Sequence, residues 1–158
     1  MNEVNQTKQT NQASQQYEQM YDTKLYYIKQ GVKQHEYDMH QHINSLKIVN
    51  SPKIVNYDAQ KQIMVMEKIG NMSVSDYYDE YAKGVPKPLM KKIQQIVKTL
   101  YDNNIVYPDI TGYNFIEFAG KVWIIDFEHS EFKTMVTAED KHVKLFINGL
   151  NQWNPRFR

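Results

Sequence analysis

Cysteine is absent from the chain, which excludes disulfides and thiolate metal sites and leaves the redox compartment open. Glycine is scarce as well, and none precedes Gly31. A loop whose backbone must press against phosphate favours glycine, so no such loop is expected ahead of that position. Long apolar runs are missing: nothing approaches the length that spans a bilayer, and the opening residues Met1 to Thr10 lack the apolar centre of an export signal. Nor is there an excess of charge of either sign, the formal net charge being +1. That balance gives no electrostatic argument for nucleic acid or an anionic membrane as partner, and no basic stripe interleaved with aromatics stands out. Together these absences predict a soluble cytoplasmic protein. At 158 residues the chain is one domain's worth, long enough to bury a core.

What is present changes character near Tyr17. Residues 1–16 are mostly Gln, Asn, Thr and Ser, with too little apolar surface to offset the entropy of ordering them. They predict a flexible polar arm, or a helix only if it docks. Residues 17–158 carry the patterns of a single domain. Lys24 to Lys29 reads as a strand of aromatic and β-branched residues, and Val32, Met39, Ile43 and Leu46 recur near helical spacing. Lys53 to Tyr57 and Gln62 to Met66 are two further β-type runs joined by a polar turn. Ser73 or Ser75, with Asp76 following, can start a short helix. Then Leu89, Ile93, Ile96, Val97 and Leu100 form the strongest helical pattern in the chain. A last helix is expected from Ala138 to about Leu150, carrying Val143, Leu145, Phe146 and Leu150. The fold class this predicts is α+β: a small N-terminal antiparallel sheet with one helix, followed by a mainly helical part.

The densest chemistry lies between Ile105 and Glu128. Asp109 is followed five positions later by Asn114, and the apolar run Val122 to Ile125 ends at Asp126. Ala119-Gly120-Lys121 supplies a hairpin turn, so Asp126 can arrive at one end of a sheet beside the loop carrying Asp109 and Asn114. Two carboxylates and an amide oxygen suit a hard cation and a phosphate, because Mg²⁺ takes oxygen ligands and keeps water and phosphate oxygens in its remaining positions. His35, His40 and His42 invite a metal reading too, but no i, i+4 histidine pair with a supporting acid emerges from their spacing.

These residues resemble the protein-kinase superfamily, whose catalytic loop reads His-Arg-Asp with an Asn further on and whose metal loop reads Asp-Phe-Gly. Here the corresponding positions are Tyr107-Pro108-Asp109, Asn114 and Asp126-Phe127-Glu128. The Ile-Asp-Phe-Glu ending is similar to the choline-kinase and aminoglycoside-phosphotransferase branch. The stretch from Asp109 to Asn114 is similar to the RIO and Bud32 branch, whose members are also truncated after the metal loop. The resemblance implies a truncated kinase-like fold, with a reduced N-terminal lobe over 17–69 and a reduced C-terminal lobe over 70–158. It also implies roles. Tyr26 to Lys29 matches the Val-Ala-Ile-Lys strand, so Lys29 would reach the phosphates of ATP, with Lys24 as the alternative. Glu36 would pair with that lysine, a solvated glutamate being the competing reading. Met66 to Gly70 resembles the hinge, where backbone around Glu67 and Ile69 would meet the adenine edge. Asn114 and Asp126 would hold Mg²⁺ or Mn²⁺, and Asp109 would orient the acceptor hydroxyl.

The function this implies is ATP- and Mg-dependent phosphoryl transfer to a hydroxyl of a protein or a small molecule. A second reading keeps the same fold as a weak or inactive pseudokinase, a nucleotide-binding or protein-interaction module. The missing glycine loop, Tyr107 and Glu128 are its support. A third is an unrelated α+β binding domain whose aspartates only cap turns.

Overall fold

The computed structural model describes residues 2–134 and 137–157. Its first helix, α1 (Asn2–Met20), is almost wholly polar, and such a sequence holds a helix in water only with tertiary support. Support comes at the C-terminal end, where Tyr17 is buried and Ala13 and Tyr21 pack with it against Ile63 and Val65. The Tyr17 hydroxyl also donates to Asp58 Oδ2 at 2.9 Å. The arm expected over residues 1–16 is therefore helical through its described residues and continuous with the helix that docks, the one condition under which the sequence allowed a helix there.

Three strands follow the predicted runs closely: β1 (Tyr26–Gln30), β2 (Ile54–Asp58) and β3 (Ile63–Glu67). They form an antiparallel sheet in the order β1-β3-β2. Because side chains alternate along a strand, Tyr26, Ile28, Ile63 and Val65 face α1, while Met64 and Met66 pack with Val32, Tyr37, Ile54 and Tyr57 on the other side. Lys29 lies opposite Met64 in the register, so it shares that second side. Gly31, at φ 71°, turns the chain from β1 into α2 (Gln34–Leu46). Helix α2 buries Glu36, Met39, His40 and Ile43.

The short helix α3 (Val74–Tyr77) starts in a capping box: Ser73 Oγ accepts from Asp76 N–H, and the Asp76 carboxylate accepts from Ser73 N–H. Helix α4 (Lys87–Asp102) has Pro in its first turn, where the missing N–H has no intrahelical partner to lose, and buries Leu89, Ile93, Val97 and Leu100 as the spacing predicts. A hairpin joins β5 (Phe115–Phe118) to β6 (Lys121–Ile124) through Ala119 and Gly120, both at positive φ. Two-residue strands β4 (Ile105–Val106) and β7 (Glu131–Phe132) pair antiparallel. The last helix, α5 (Ala138–Ile147), is capped by Thr137, whose hydroxyl accepts from Asp140 N–H. It buries Val143 and Phe146, but Leu145 and Leu150, expected on its apolar face, are exposed. The helix stops at Ile147 and Gly149 turns the chain at φ 71°, so Leu150 is not on the helix.

The largest core spans Met39 to Trp153 and is distinct from the two smaller clusters on either side of the three-stranded sheet. Met39 and Ile43 of α2 share it with the buried side of α4, with Tyr107, Phe115, Ile124 and Phe127, and with Val143 and Phe146 of α5. Helix α2 thus bridges the small sheet and the helical part, and the site forms along that bridge.

Candidate active site

Lys29 stands at the centre of the site. Its Nζ donates to Glu36 Oε1 and, at 3.2 Å, to Asp126 Oδ1, a residue 97 positions away in sequence. The short connection from β1 through Gly31 brings the lysine over the first turn of α2, where an acid also suits the helix dipole. Burial works against the ammonium, but the carboxylates of Asp126 and Glu36 outweigh it and hold Lys29 above its ordinary value. Glu36 is 3% exposed. Burial raises its carboxyl by more than Lys29 lowers it, with Asp126 and Glu128 adding to the rise.

Asp126 adopts a left-handed backbone conformation, φ 63°, which costs an L-residue about 1–2 kcal/mol and is best tolerated by Asp, Asn and Gly. Its Oδ1 also accepts from Glu128 N–H at 3.3 Å. Two bonds tie it to the loop below. Ile125 N–H donates to Asn114 O at 3.0 Å, and the wholly buried Tyr107 donates its hydroxyl to Ile125 O at 2.7 Å. Burial, with the charges of Asp109 and Asp126, pushes the Tyr107 phenol well above its ordinary value, so it is a hydrogen-bond donor at any working pH.

In that loop, Asn114 Nδ2 donates to Asp109 O at 2.9 Å. The amide nitrogen is thereby committed to backbone, and the oxygen is the atom suited to a ligand. Asp109 is 7% exposed. Burial raises its carboxyl; the His129 ring, with Nδ1 3.2 Å from Asp109 Oδ2, works the other way, and Asp126 adds to the rise. A buried carboxylate moved upward in this way is a stronger proton acceptor.

A cleft of about 340 Å³ opens beside this cluster. Lys29, Glu36, His40 and Asp126 line it together with Met66, Glu67, Ile69 and Gly70. Glu67 Oε2 also accepts from Lys53 N–H at 3.2 Å. Of the residues singled out from sequence, Lys29, Glu36 and Asp126 are in direct contact; Glu67 and Ile69 share their cleft; Asp109 and Asn114 do not line it but are bonded to one another and coupled to Asp126. Lys24, the alternative lysine, lies outside the strand with its N–H bonded to Asp22 Oδ1. The donor set at Asn114 and Asp126, one amide oxygen and one carboxylate, is all hard oxygen and fits Mg²⁺ completed by phosphate and water.

Three residues were not legible as parts of this site. His129 meets Asp109 through the fold and belongs to no motif. Tyr107 was visible only as a departure at the histidine position. His40 lines the cleft as a neutral ring: its Nε2 lies 2.7 Å from Pro52 O, and burial lowers it to about 4. The two histidines singled out with it, His35 and His42, are also engaged, His35 Nε2 with Ser130 O at 2.8 Å and the His42 ring edge-on to Phe132.

A lysine–glutamate pair between a small antiparallel sheet and its helix, above a loop with Asp and Asn and a strand ending in Asp-Phe, defines a protein-kinase-like fold of the atypical kind. The chain belongs to the RIO domain family, which matches residues 1–146. It is 30% identical over 116 residues to the EKC/KEOPS complex subunit BUD32 of Enterocytozoon bieneusi, covering 66% of this chain and 56% of that protein. It is 28% identical over 116 residues to the KEOPS complex subunit Bud32 of Pyrococcus abyssi, covering 66% and 53%. The chain thus spans about half the length of these curated relatives. Among solved structures, the Cydia pomonella granulovirus kinase PK-1 superposes with a TM-score of 0.50 at 21% identity, over 68% of this chain and 42% of that one; it shares the fold. No helix among the described residues is long and apolar enough to cross a membrane.

Proposed function

We propose that this chain is an ATP- and Mg-dependent phosphotransferase acting on a hydroxyl group. One observation carries the reading: Lys29 joins Glu36 and Asp126 in a single cleft, so groups far apart in sequence converge where a nucleotide's phosphates fit. Lys29, held charged, would bind the α- and β-phosphates, and Glu36 would fix its direction. The backbone from Met66 to Gly70 would take the adenine edge. Asn114 and Asp126 would hold Mg²⁺, which when bound neutralises phosphate charge. Asp109, raised by burial, would orient the acceptor hydroxyl and take its proton. Catalysis in such a site is positioning and electrostatics rather than covalent chemistry. The two KEOPS-subunit relatives support a protein partner for this chain as well, and the acceptor is a protein or a small molecule.

A second reading, a nucleotide-binding or protein-interaction pseudokinase, has its own observation. Strand β1, which carries Lys29, is an edge strand, and among the described residues no glycine-bearing hairpin lies beyond it to cover the phosphates. The experiment that separates the readings is transfer from γ-labelled ATP, with Asp126→Asn as the control. Loss of transfer in the variant supports the phosphotransferase; equal signal in both overturns the assignment of Asp126. Saturable Mg-ATP binding by a wild type that transfers nothing supports the pseudokinase.

A further inference from the structure

The segment after α5 folds back onto the loop that carries Asp109, and it lies beyond residue 146, where the family match ends. Asn154 is 3% exposed. Its Nδ2 donates to Pro108 O at 2.9 Å, and its backbone N–H donates to Ile110 O at 2.8 Å. The two carbonyls it holds flank Asp109 in the chain. Asn154 Oδ1 accepts from Arg156 N–H at 3.2 Å, which helps close the turn Pro155–Phe157. That turn sets the Phe157 ring 4.9 Å from the ring of His129, whose Nδ1 meets the Asp109 carboxylate. The segment is anchored by Trp153, buried against Phe146.

We propose that Asn154 is a positioning residue for Asp109, and that residues 151–157 form a clamp on the acceptor-side acid; the catalytic part of this proposal rests on the phosphotransfer reading. Between Pro108 and Thr111 the backbone bonds within the loop are local: Ile110 N–H to Pro108 O and Thr111 N–H to Asp109 O. Tyr107 and Asn114 tie the two sides of the loop to Ile125, and Asn154, arriving from 46 residues away, adds a hold on the carbonyls on either side of Asp109 itself. The Phe157 ring backs the histidine that touches the carboxylate, so the segment acts on Asp109 through both backbone and side chain. Asn154 does not line the nucleotide cleft, and this separates its effect from nucleotide binding.

The test is Asn154→Ala in the full chain, read by amide hydrogen exchange and by steady-state kinetics with Mg-ATP. Exchange at Ile110 and Thr111 rises about tenfold, the scale of one lost hydrogen bond, while amides of α4 keep their wild-type rates. The value of kcat falls about 10²-fold, the scale of a small misplacement of a catalytic group, with KM for Mg-ATP within about twofold of wild type on the same grounds. Because Asn154 is buried and its truncation also costs stability, Phe157→Ala serves as the second variant. It leaves every backbone bond in place and lowers kcat less, again at constant KM. Wild-type exchange at Ile110 and Thr111 in Asn154→Ala overturns the clamp. So does a kcat loss that only follows the folded fraction, or a KM that rises in step with it. A wild type without turnover overturns the phosphotransfer reading and the catalytic role of Asn154 with it, while the exchange result still decides whether the clamp exists.

Discussion

At the scale of single residues, the cleft is built from groups held in unfavourable states that their neighbours offset. Asp126 sits at positive φ, and Glu36 is buried beside two other carboxylates that raise it; the Lys29 ammonium pairs with both side chains and offsets part of the cost of holding their charges there. His40 is the clearest case. Burial, reinforced by the Lys29 charge, lowers it from 6.5 to about 4, against the opposite pull of the Pro52 carbonyl and Asp126. Between those values the unfolded chain binds a proton that the folded chain refuses. The contribution of His40 to stability is therefore fully present above about pH 6.5 and declines as pH falls toward about 4, by about 3 kcal/mol. Chemical denaturation at a series of pH values measures this slope. His40→Gln removes most of it, whatever its effect on stability at neutral pH, and an unchanged slope in that variant would move the titration to another group.

Two elements place the site, and their dependence on sequence differs. The 3₁₀ turn that follows Thr111 packs against α3 so tightly that a Cβ on Gly112 would lie 2.1 Å from Ser75 Oγ and 3.2 Å from Ser75 N. Gly112→Ala must turn the Ser75 hydroxyl aside and, at the 3.2 Å contacts, move the turn and α3 apart slightly. It is expected to cost about 1–3 kcal/mol by thermal or chemical unfolding, as overpacking does, and to weaken any activity through Asp109 and Asn114. A neutral effect would show that the contact gives way freely. Helix α1 is held differently, chiefly by one side chain. Tyr17→Phe loses the bond to Asp58 and is expected to cost about 1 kcal/mol, with faster amide exchange confined to α1 and the adjoining part of β1. Wild-type exchange there would show that the bond contributes nothing. The contrast explains what was readable beforehand. The periodicity of α4 and the pairing of β2 with β3 are local patterns, and both were legible. The docking of α1 was not, since Ala13, Tyr17 and Tyr21 are a thin apolar stripe in a Gln- and Asn-rich sequence. Leu150 is exposed because α5 stops at Ile147, whereas Leu145 lies within the helix but off the side that buries Val143 and Phe146.

Across the whole molecule, one core joins α2 to α4 and α5, so the lysine–glutamate pair and the Asp-Asn loop are parts of a single packed body. Asp109, Asn114 and Asp126 could be singled out as candidates because hard-oxygen donors suit a phosphate and a cation and because their order resembles that of the protein-kinase superfamily. Lys29 and Glu36 could be picked out only with that constellation already in view. The contacts of His129, Phe157 and Asn154 could not, because they connect distant positions that no spacing rule links. If the cleft takes Mg-ATP, a saturating concentration of about a hundredfold over Kd stabilises the native state by about 2.7 kcal/mol, roughly a 5–10 °C rise in Tm for a chain of this size. The measurement that bears most directly on the central claim is phosphoryl transfer from labelled ATP by purified wild-type protein, beside Asp109→Ala and Asp126→Asn. Asparagine tolerates the left-handed conformation at position 126 nearly as well as aspartate, so Asp126→Asn removes a charge and leaves the fold intact. The account predicts transfer by the wild type, its loss in both variants, and near-native melting for Asp126→Asn; undiminished transfer in either variant would contradict it.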